Sequence, residues 1–158
     1  MKIIICKTDG AEIMVDDEDY AVLSRFPWYR GGRCAHPMTF FYLRDDGSQT
    51  VYMHQIISGG KVMTDHADGN VLNNQKSNLR QATKQQNSAN SRKQVRKGKP
   101  CTSKYKGVCF TQGKFRVTIR KDGKTYQLGS YANEDEAGGA YNKKAIELFG
   151  EFAKVNEI

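Results

Sequence analysis

The chain has little apolar content and none of the long hydrophobic runs that cross a membrane. Only 38% of its 158 residues are hydrophobic, which is below the share typical of a single well-packed globule. No apolar run approaches the length of a membrane span. The apolar run at residues 3–6 is also too short for the core of a secretion signal. These absences predict two small polar domains and a cytoplasmic protein.

The cysteines lack the close pairing of a zinc knuckle. The chain has four of them, and no two have the C-x-x-C spacing: Cys6, Cys34, Cys101 and Cys109. Without a secretion signal, reduced thiols are expected. A structural zinc protein is a third hypothesis, because Cys34 lies near His36, but no second ligand pair is evident.

The excess positive charge is confined to the C-terminal part. Residues 1–90 carry 10 Lys/Arg and 10 Asp/Glu, whereas residues 91–158 carry 15 and 7, which accounts for the whole net charge of +8. A concentrated basic segment indicates a polyanion partner, because each neutralised phosphate releases a counterion. A solubilising surface is the alternative explanation.

The N-terminal half predicts short strands and helices around one tryptophan. Trp28 is expected to anchor the core, and His54 to be a packed, hydrogen-bonded histidine within a short apolar helix. Asp46-Gly47 predicts a hairpin turn. The predicted elements are strands at residues 2–6, 11–15, 39–44 and 49–53, and helices from Asp16 and over 53–57.

The polar stretch at residues 64–90 combines side chains that bind hard cations and move protons. Asp65 and Asn87 offer oxygen ligands suited to Mg²⁺ or Mn²⁺. His66 has an ordinary pKa close to working pH, as a general base requires. Asn78 is a candidate to fix its ring. Such groups suit phosphodiester hydrolysis, although Asp, Gly and Asn also occur in ordinary turns.

The local pattern of this stretch predicts a strand, a loop and a helix. The strand over residues 62–66 delivers Asp65 and His66 into an A-D-G-N turn. Thr83 followed by Gln86 is a capping box, which predicts the start of a helix there.

The C-terminal segment predicts a three-stranded sheet with one helix behind it. Strands are expected at residues 107–111, 114–120 and 124–130, followed by a helix that Asn133 caps and Gly150 ends. The middle strand alternates, with apolar side chains on one face and Arg116, Thr118 and Arg120 on the other. A basic sheet face of this kind fits the DNA major groove.

The stretch D-H-A-D-G-N-x-L-N-N-x-x-x-N-L-R-x-A-T-x-x-Q-N closely resembles the HNH nuclease motif. It is most similar to phage-type homing endonucleases whose last motif residue is Asn. The resemblance implies a ββα-metal (His-Me finger) fold and one divalent cation, Mg²⁺ or Mn²⁺. By position, Asp65 and Asn87 resemble the metal ligands, His66 the general base and Asn78 the residue that orients it. Arg80 falls in the region that braces the site or touches the DNA backbone.

The C-terminal segment resembles the plant Apetala-two, or ethylene-response-factor (ERF), type of DNA-binding domain. The similarity lies in Y-K-G-V, G-K-F-R-V-T-I-R, L-G-S-Y and E-D-E-A-G-G-A-Y. Cys109, Thr111, Thr118 and Gln127 replace larger groups of that family, so its target sequence does not transfer. Gly138-Gly139 stands where that family has Ala-Ala, at an expected cost of about 1 kcal/mol per glycine in a helix.

The predicted fold class is α+β, with a ββα-metal nuclease domain and a three-stranded antiparallel sheet packed on one helix. The predicted parts are a nuclease domain over residues 1–92 with a β-rich N-terminal segment, a basic linker over 93–103, and an ERF-type domain over 104–158. The residues expected to contact DNA are Arg80, Arg92, Lys93, Arg96, Lys97, Lys99, Lys106, Lys114, Arg116, Thr118, Arg120, Thr125 and Gln127.

The leading hypothesis is a site-directed, homing-endonuclease-like DNA endonuclease, with single-strand nicking left open. Its expected partner is double-stranded DNA, with no membrane and no obligate protein partner, and the chain is expected to be a monomer. A phage-encoded protein of this kind would act in the cytosol of a bacterial host. The alternative is a non-catalytic, sequence-specific DNA-binding regulator with a degenerate HNH finger.

Overall fold

The computed structural model describes residues 1–31, 35–43, 47–60, 63–93 and 103–158. Its contacts divide the chain into two compact units, Met1–Ala82 and Thr83–Ile158. Both units mix helices with small sheets. Among the described residues, no helix combines the length and the hydropathy that a membrane span needs.

The first unit is built from short strands and two short helices. Its described elements are β1 (Lys2–Ile5), β2 (Glu12–Val15), α1 (Asp17–Leu23), β3 (Tyr29–Gly31), β4 (His36–Leu43), β5 (Gly47–Tyr52), α2 (Met53–Ile57), β6 (Thr64–His66) and β7 (Leu79–Gln81). They form the hairpin β1-β2, the antiparallel sheet β3-β4-β5 and the hairpin β6-β7.

The core of this unit gathers around Trp28, as predicted. Trp28 is fully buried, and its indole N–H donates to the carbonyl of Leu23 at 2.8 Å. Ile13 and Val15 from β2 and Met53 from α2 are also fully buried beside it. The indole therefore ties the end of α1 to the β1-β2 hairpin, and α2 closes the other side.

The loop between β6 and β7 is fastened to β2. Met14 donates its backbone N–H to Leu72 at 2.9 Å and accepts from the N–H of Asn74 at 2.8 Å. The Asp16 carboxylate accepts from the Gln75 side chain at 3.0 Å and from the backbone N–H of Lys76 at 2.8 Å. The hydrophobic core thus supports the loop through backbone hydrogen bonds to its neighbouring strand.

The second unit contains the predicted sheet and helix. Its elements are α3 (Lys84–Asn90), β8 (Val108–Thr111), β9 (Lys114–Lys121), β10 (Lys124–Tyr131), α4 (Glu134–Phe149) and a 3-10 turn (Gly150–Phe152). The sheet is antiparallel in the order β10-β9-β8. Val117 and Ile119 are buried against α4, which confirms the predicted alternation of β9. The Asn133 side chain caps α4, also as predicted.

Gly138 is required by packing. A β-carbon at this position would lie 2.9 Å from Cδ2 of Tyr105, whereas one at Gly139 would meet only Ile158, at 3.8 Å. Tyr105 is 3% exposed, and its hydroxyl donates to Asp135 at the start of α4. The helix therefore gives up some intrinsic stability at Gly138 in exchange for the close packing of a buried aromatic ring.

Helix α3 belongs to the second unit. The Lys106 ammonium group donates to the carbonyls of Ala89 at 2.6 Å and Ser91 at 2.7 Å, and the backbone N–H of Lys154 donates to Ala89 at 3.4 Å. The second unit begins at Thr83, because α3 packs onto the segments beside the sheet. The predicted bounds of the domains and linker, 1–92, 93–103 and 104–158, stay a prediction.

Candidate active site

Asp65 and His66 lie side by side on β6, and both are 4% exposed. In the β6-β7 hairpin Asp65 pairs with Arg80, and His66 pairs with Leu79. The Arg80 guanidinium donates from Nε and Nη2 to the same carboxylate oxygen of Asp65, at 3.0 and 2.9 Å. The predicted cation ligand is therefore a buried carboxylate that already has a positive partner. Arg80, predicted to contact DNA, provides that partner.

The protonation of His66 is governed by burial. Burial lowers the pKa of His66, while the hydrogen bond that its imidazole donates to Asn74 and the carboxylates of Asp68 and Asp65 oppose the change. Nε2 of His66 lies 3.4 Å from Oδ1 of Asn74, which is itself fully buried. His66 is consequently neutral near pH 7, the form in which an imidazole accepts a proton.

The Asn78 side chain holds the loop, and Asn74 lies within hydrogen-bond distance of His66. The predicted role of Asn78 in orienting the base stays a prediction. The Asn78 amide donates to Oδ1 of Asp68 at 3.0 Å and to the carbonyl of Asn73 at 2.8 Å, and accepts from the N–H of Asp68 at 3.0 Å. Among the described residues it makes no hydrogen bond to His66. The reason is geometric, since the parallel bridge between β2 and the loop aims Asn74 at the imidazole.

The Asp68 carboxylate accepts hydrogen bonds from three asparagines of the loop between β6 and β7. Burial raises the pKa of its carboxyl, but hydrogen bonds from Asn70, Asn73 and Asn78 outweigh burial and hold that pKa below its usual value. The distances are 2.7 Å to the N–H of Asn70 and 2.9 Å to the amide of Asn73. Asp68 therefore stays ionised and holds the segment that follows His66 in one conformation.

Asn87, the second predicted cation ligand, lies on α3 in the second unit. The predicted start of this helix is confirmed, because the Thr83 hydroxyl accepts from the N–H of Gln86 at 3.2 Å and the Gln86 side chain returns the bond. Asn87 is half-buried. Its role as a ligand stays a prediction.

The donor chemistry at Asp65 fits a hard divalent cation. A buried carboxylate oxygen next to a neutral imidazole is the kind of ligand that Mg²⁺ and Mn²⁺ take. Arg80 shares that carboxylate, so a cation bound there has to compete with a guanidinium for it.

The structure also brings together all three histidines of the chain, which sequence reasoning missed. We call His36, His54 and His66 the histidine cluster. They come from the start of β4, from α2 and from β6, and one nitrogen of each lies within 4.8 Å of one nitrogen of each of the others. Their separations of 18 and 12 residues match no metal-binding motif. From the sequence, His36 is a candidate zinc ligand only beside Cys34, and His54 is expected to be a packed histidine.

In the second unit, six predicted DNA contacts share one face of the sheet. The strand register places Arg120 opposite Thr125 and Thr118 opposite Gln127, and paired residues project on the same side. Lys114 and Arg116 of β9 project on the same side, because alternate residues of a strand share a face. We call these six residues the basic sheet face: Lys114, Arg116, Thr118, Arg120, Thr125 and Gln127. Cys109, Thr111 and Ser130 adjoin these residues by register, and the nine positions include no acidic side chain.

The other predicted DNA contacts are placed differently. The Lys93 ammonium donates to the carbonyls of Ser103 and Tyr105, both at 2.6 Å, so it ties two backbone segments of the second unit together. Burial lowers the pKa of Lys106 to about 8, and its ammonium holds the end of α3. Arg92 is exposed, while Arg96, Lys97 and Lys99 lie outside the described residues.

Comparison with known proteins gives one clear similarity. The chain is 33% identical over 156 residues to a protein of Acanthamoeba polyphaga mimivirus that is named as an uncharacterised HNH endonuclease. The similarity covers 94% of this chain and 76% of that protein. No protein-family model matches the chain.

Proposed function

We propose that this chain, which belongs to the HNH endonuclease family, is a metal-dependent nuclease that cuts double-stranded DNA at sites selected by its second unit. The nuclease activity follows from the family. The metal requirement, the duplex substrate and the site selection are the proposal, and each is argued from the geometry.

One observation carries the proposal: a buried, neutral His66 adjoins a buried carboxylate on the same short strand. Few structural roles need an imidazole that is both buried and uncharged next to Asp65 and near Asp68. A general base does need it, because only the neutral ring can accept a proton from water. Oδ1 of Asn74 lies 3.4 Å from Nε2 of His66 and restrains the orientation of the ring.

The residues of the chain then divide the work of hydrolysis. His66 takes a proton from the water as its oxygen attacks phosphorus in line with the leaving oxygen. Asp65 would hold a divalent cation, with Asn87 as the second ligand that the motif resemblance implies, and the bound cation would supply charge neutralisation at the phosphate. Asp68 and Asn78 hold the loop so that His66 does not change its orientation. Arg80 keeps the Asp65 carboxylate in place.

We propose that the basic sheet face holds the DNA. Its cationic side chains Lys114, Arg116 and Arg120 are exposed and project on one side of a flat, antiparallel sheet. Each is free to neutralise a phosphate, and Thr125 and Gln127 can form hydrogen bonds with base edges. The likeness to ethylene-response-factor domains supports the same role for this face.

The Asp65–Arg80 pair also favours a second candidate function. A carboxylate neutralised by a guanidinium is a poorer cation ligand than a free carboxylate. The alternative is therefore a DNA-binding regulator whose HNH segment is structural. It predicts DNA binding without strand cleavage in any divalent metal.

Plasmid cleavage separates the two functions. Supercoiled DNA is incubated with the full chain and with Mg²⁺, Mn²⁺ or EDTA, and nicked and linear products are quantified. We expect cleavage that needs the metal and that falls by about 10³-fold or more in His66→Ala, because general-base catalysis contributes factors of this order. Lys143→Ala, which removes an exposed charge on α4, is the matched control. Binding without any cleavage would support the regulator.

A further inference from the structure

The histidine cluster is a compact group of imidazoles from three separate elements. The ring centroids lie 4.9 Å apart for His36 and His54, 5.4 Å for His36 and His66, and 5.5 Å for His54 and His66. The ring planes cross at 60°, 34° and 81° respectively, so the rings pack in tilted and edge-to-face arrangements. One nitrogen of each ring lies within 4.8 Å of one nitrogen of each of the others.

Two nitrogens of the cluster lack a partner. Nδ1 of His36 and Nδ1 of His54 are buried and, among the described residues, accept or donate no hydrogen bond. Buried polar atoms without a partner are rare and call for an explanation. A bound cation would explain both, because an imidazole nitrogen is a ligand when it is uncharged.

Two carboxylates interact electrostatically with the cluster. Asp65 and Asp68 both act on His66, and their negative charge favours a cation on this side of the unit.

We propose that His36, His54 and His66 form a binding site for one borderline transition-metal ion, of which Zn²⁺ is the best match. Imidazole ligands suit Zn²⁺, Ni²⁺ and Cu²⁺, while Mg²⁺ and Mn²⁺ prefer oxygen. Three histidine nitrogens and one water complete a tetrahedral zinc site. This site is distinct from the oxygen-ligand site at Asp65 in both donor atoms and metal preference.

The geometry requires only a small contraction. A tetrahedral ion with metal–nitrogen distances of about 2.0–2.1 Å places its nitrogens roughly 3.4 Å apart. The nitrogens of the cluster lie within 4.8 Å of one another, so each has to move by roughly 1 Å towards the centre to reach that spacing. The framework is held in place, because the Thr64 hydroxyl on β6 bonds to Ser58 at the end of α2 at 3.0 Å.

The site goes beyond the proposed nuclease function and does not rest on it. His66 is shared, so an ion in the histidine cluster would occupy the imidazole that otherwise accepts a proton. The two uses of His66 therefore exclude each other. Metal binding is measured without DNA. A failed binding experiment therefore rejects only the histidine-cluster site, and a failed cleavage experiment rejects only the proposed nuclease function.

The test is a Co²⁺ titration of the untagged full chain, followed by displacement with Zn²⁺. Tetrahedral Co²⁺ has strong visible absorption bands, which the oxygen-rich octahedral site at Asp65 would not give. We expect one equivalent of tetrahedral Co²⁺, displaced by one equivalent of Zn²⁺ and not by millimolar Mg²⁺. His36→Gln and His54→Gln should each weaken binding by about 100-fold or more, as the loss of a direct ligand implies. Lys143→Ala, on the exposed side of α4 in the second unit, is the control and should keep the tetrahedral bands.

Fluorescence of Trp28, buried beside α2 in the same unit, checks that each variant is folded. If a variant does not fold, the wild-type chain still decides the question. Zn²⁺ should protect the three histidines from chemical acylation as read by mass spectrometry. The proposal is overturned if the wild-type chain gives only octahedral Co²⁺ spectra, if folded His36→Gln and His54→Gln bind as tightly as wild type, or if Zn²⁺ leaves acylation unchanged.

Discussion

Arg80 and Asp65 face each other across the β6-β7 hairpin, and two guanidinium nitrogens bond to one carboxylate oxygen. The Asp65 side chain is 5% exposed and that of Arg80 is 19% exposed. The pair is therefore well shielded from water. Removing one partner of such a buried ion pair is strongly destabilising, because the other charge stays buried without compensation. It also sits where the family motif places a cation ligand.

Replacing Arg80 tests whether Asp65 binds the cation. Arg80→Gln should lower the free energy of unfolding by about 3 kcal/mol, because it leaves a buried carboxylate without its partner. If Asp65 binds Mg²⁺, the cation should restore more stability to this variant than to wild type. The measurement is urea unfolding of the full chain, followed by Trp28 fluorescence, with and without Mg²⁺. Arg80→Lys is the control, and equal effects of Mg²⁺ on all three proteins would contradict the assignment.

Substitutions of Asn74 and Asn78 should affect the pH profile of cleavage differently. The hydrogen bond that His66 donates to Oδ1 of Asn74 raises the pKa of His66, so Asn74→Ala should move the acidic limb of the profile to lower pH. The rate should also fall by about 10–100-fold, as for other residues that support a catalytic ligand. Asn78→Ala should reduce the rate without moving the limb. If the acidic limb shifts only in Asn78→Ala, then Asn78 and not Asn74 orients His66.

Acid should destabilise the first unit through His36 and His54. Their pKa values are about 4 in the folded chain and 6.5 as the ordinary value, so the unfolded chain binds more protons between these limits. Stability therefore rises with pH across this window and is lost as pH falls from 6.5 towards 4. The loss should reach roughly 3 kcal/mol in total, after discounting for partial exposure.

Urea unfolding in EDTA between pH 7 and pH 4.5, followed by Trp28 fluorescence, measures this dependence. The double variant His36→Gln/His54→Gln should show a much flatter profile. A profile as steep as that of wild type would mean that other groups titrate in this window.

The basic sheet face should determine the salt dependence of DNA binding. Arg116→Ala and Arg120→Ala should each weaken binding to a duplex and reduce the slope of log K against log salt by about 0.9, the effect of one lost phosphate contact. Lys143→Ala removes the same charge from the exposed side of α4 and should change neither quantity. Fluorescence anisotropy at several salt concentrations makes the comparison. An equal loss in Lys143→Ala would show that net charge, and not this face, binds DNA.

Two adjacent glycines of α4 should respond in opposite directions to alanine. Gly139→Ala should stabilise the second unit by up to about 1 kcal/mol, because alanine is the better helix former. Gly138→Ala should destabilise it by about 1–3 kcal/mol, because its β-carbon would collide with the Tyr105 ring. Hydrogen exchange of the α4 amides in the full chain reports both changes. Slower exchange in Gly138→Ala would contradict the packing described for Tyr105.

Local patterns were sufficient to predict most elements. The Thr83 capping box, the Asn133 cap and the alternation of β9 all act over a few residues, and the structure confirms each of them. Strands β3 and β7 were not predicted individually. Each is three residues long, and so short a segment shows no measurable alternation.

Contacts between distant segments could not be predicted. The pairing of Asn74 with His66 depends on the parallel bridge between Met14 and Asn73, which no periodicity records. The histidine cluster depends on β4, α2 and β6 meeting in three dimensions. A motif names residue types at fixed spacing, so it assigned the orienting role to Asn78 and gave no information on His36.

Lys106 joins the sheet and α3 into one body. Its ammonium binds the carbonyls of Ala89 and Ser91 at the end of the helix, and Asn87 lies one half-turn before Ala89. Asn87 is therefore positioned by contacts within the second unit, and a substitution of Lys106 would disturb its helix without touching any residue of the first unit.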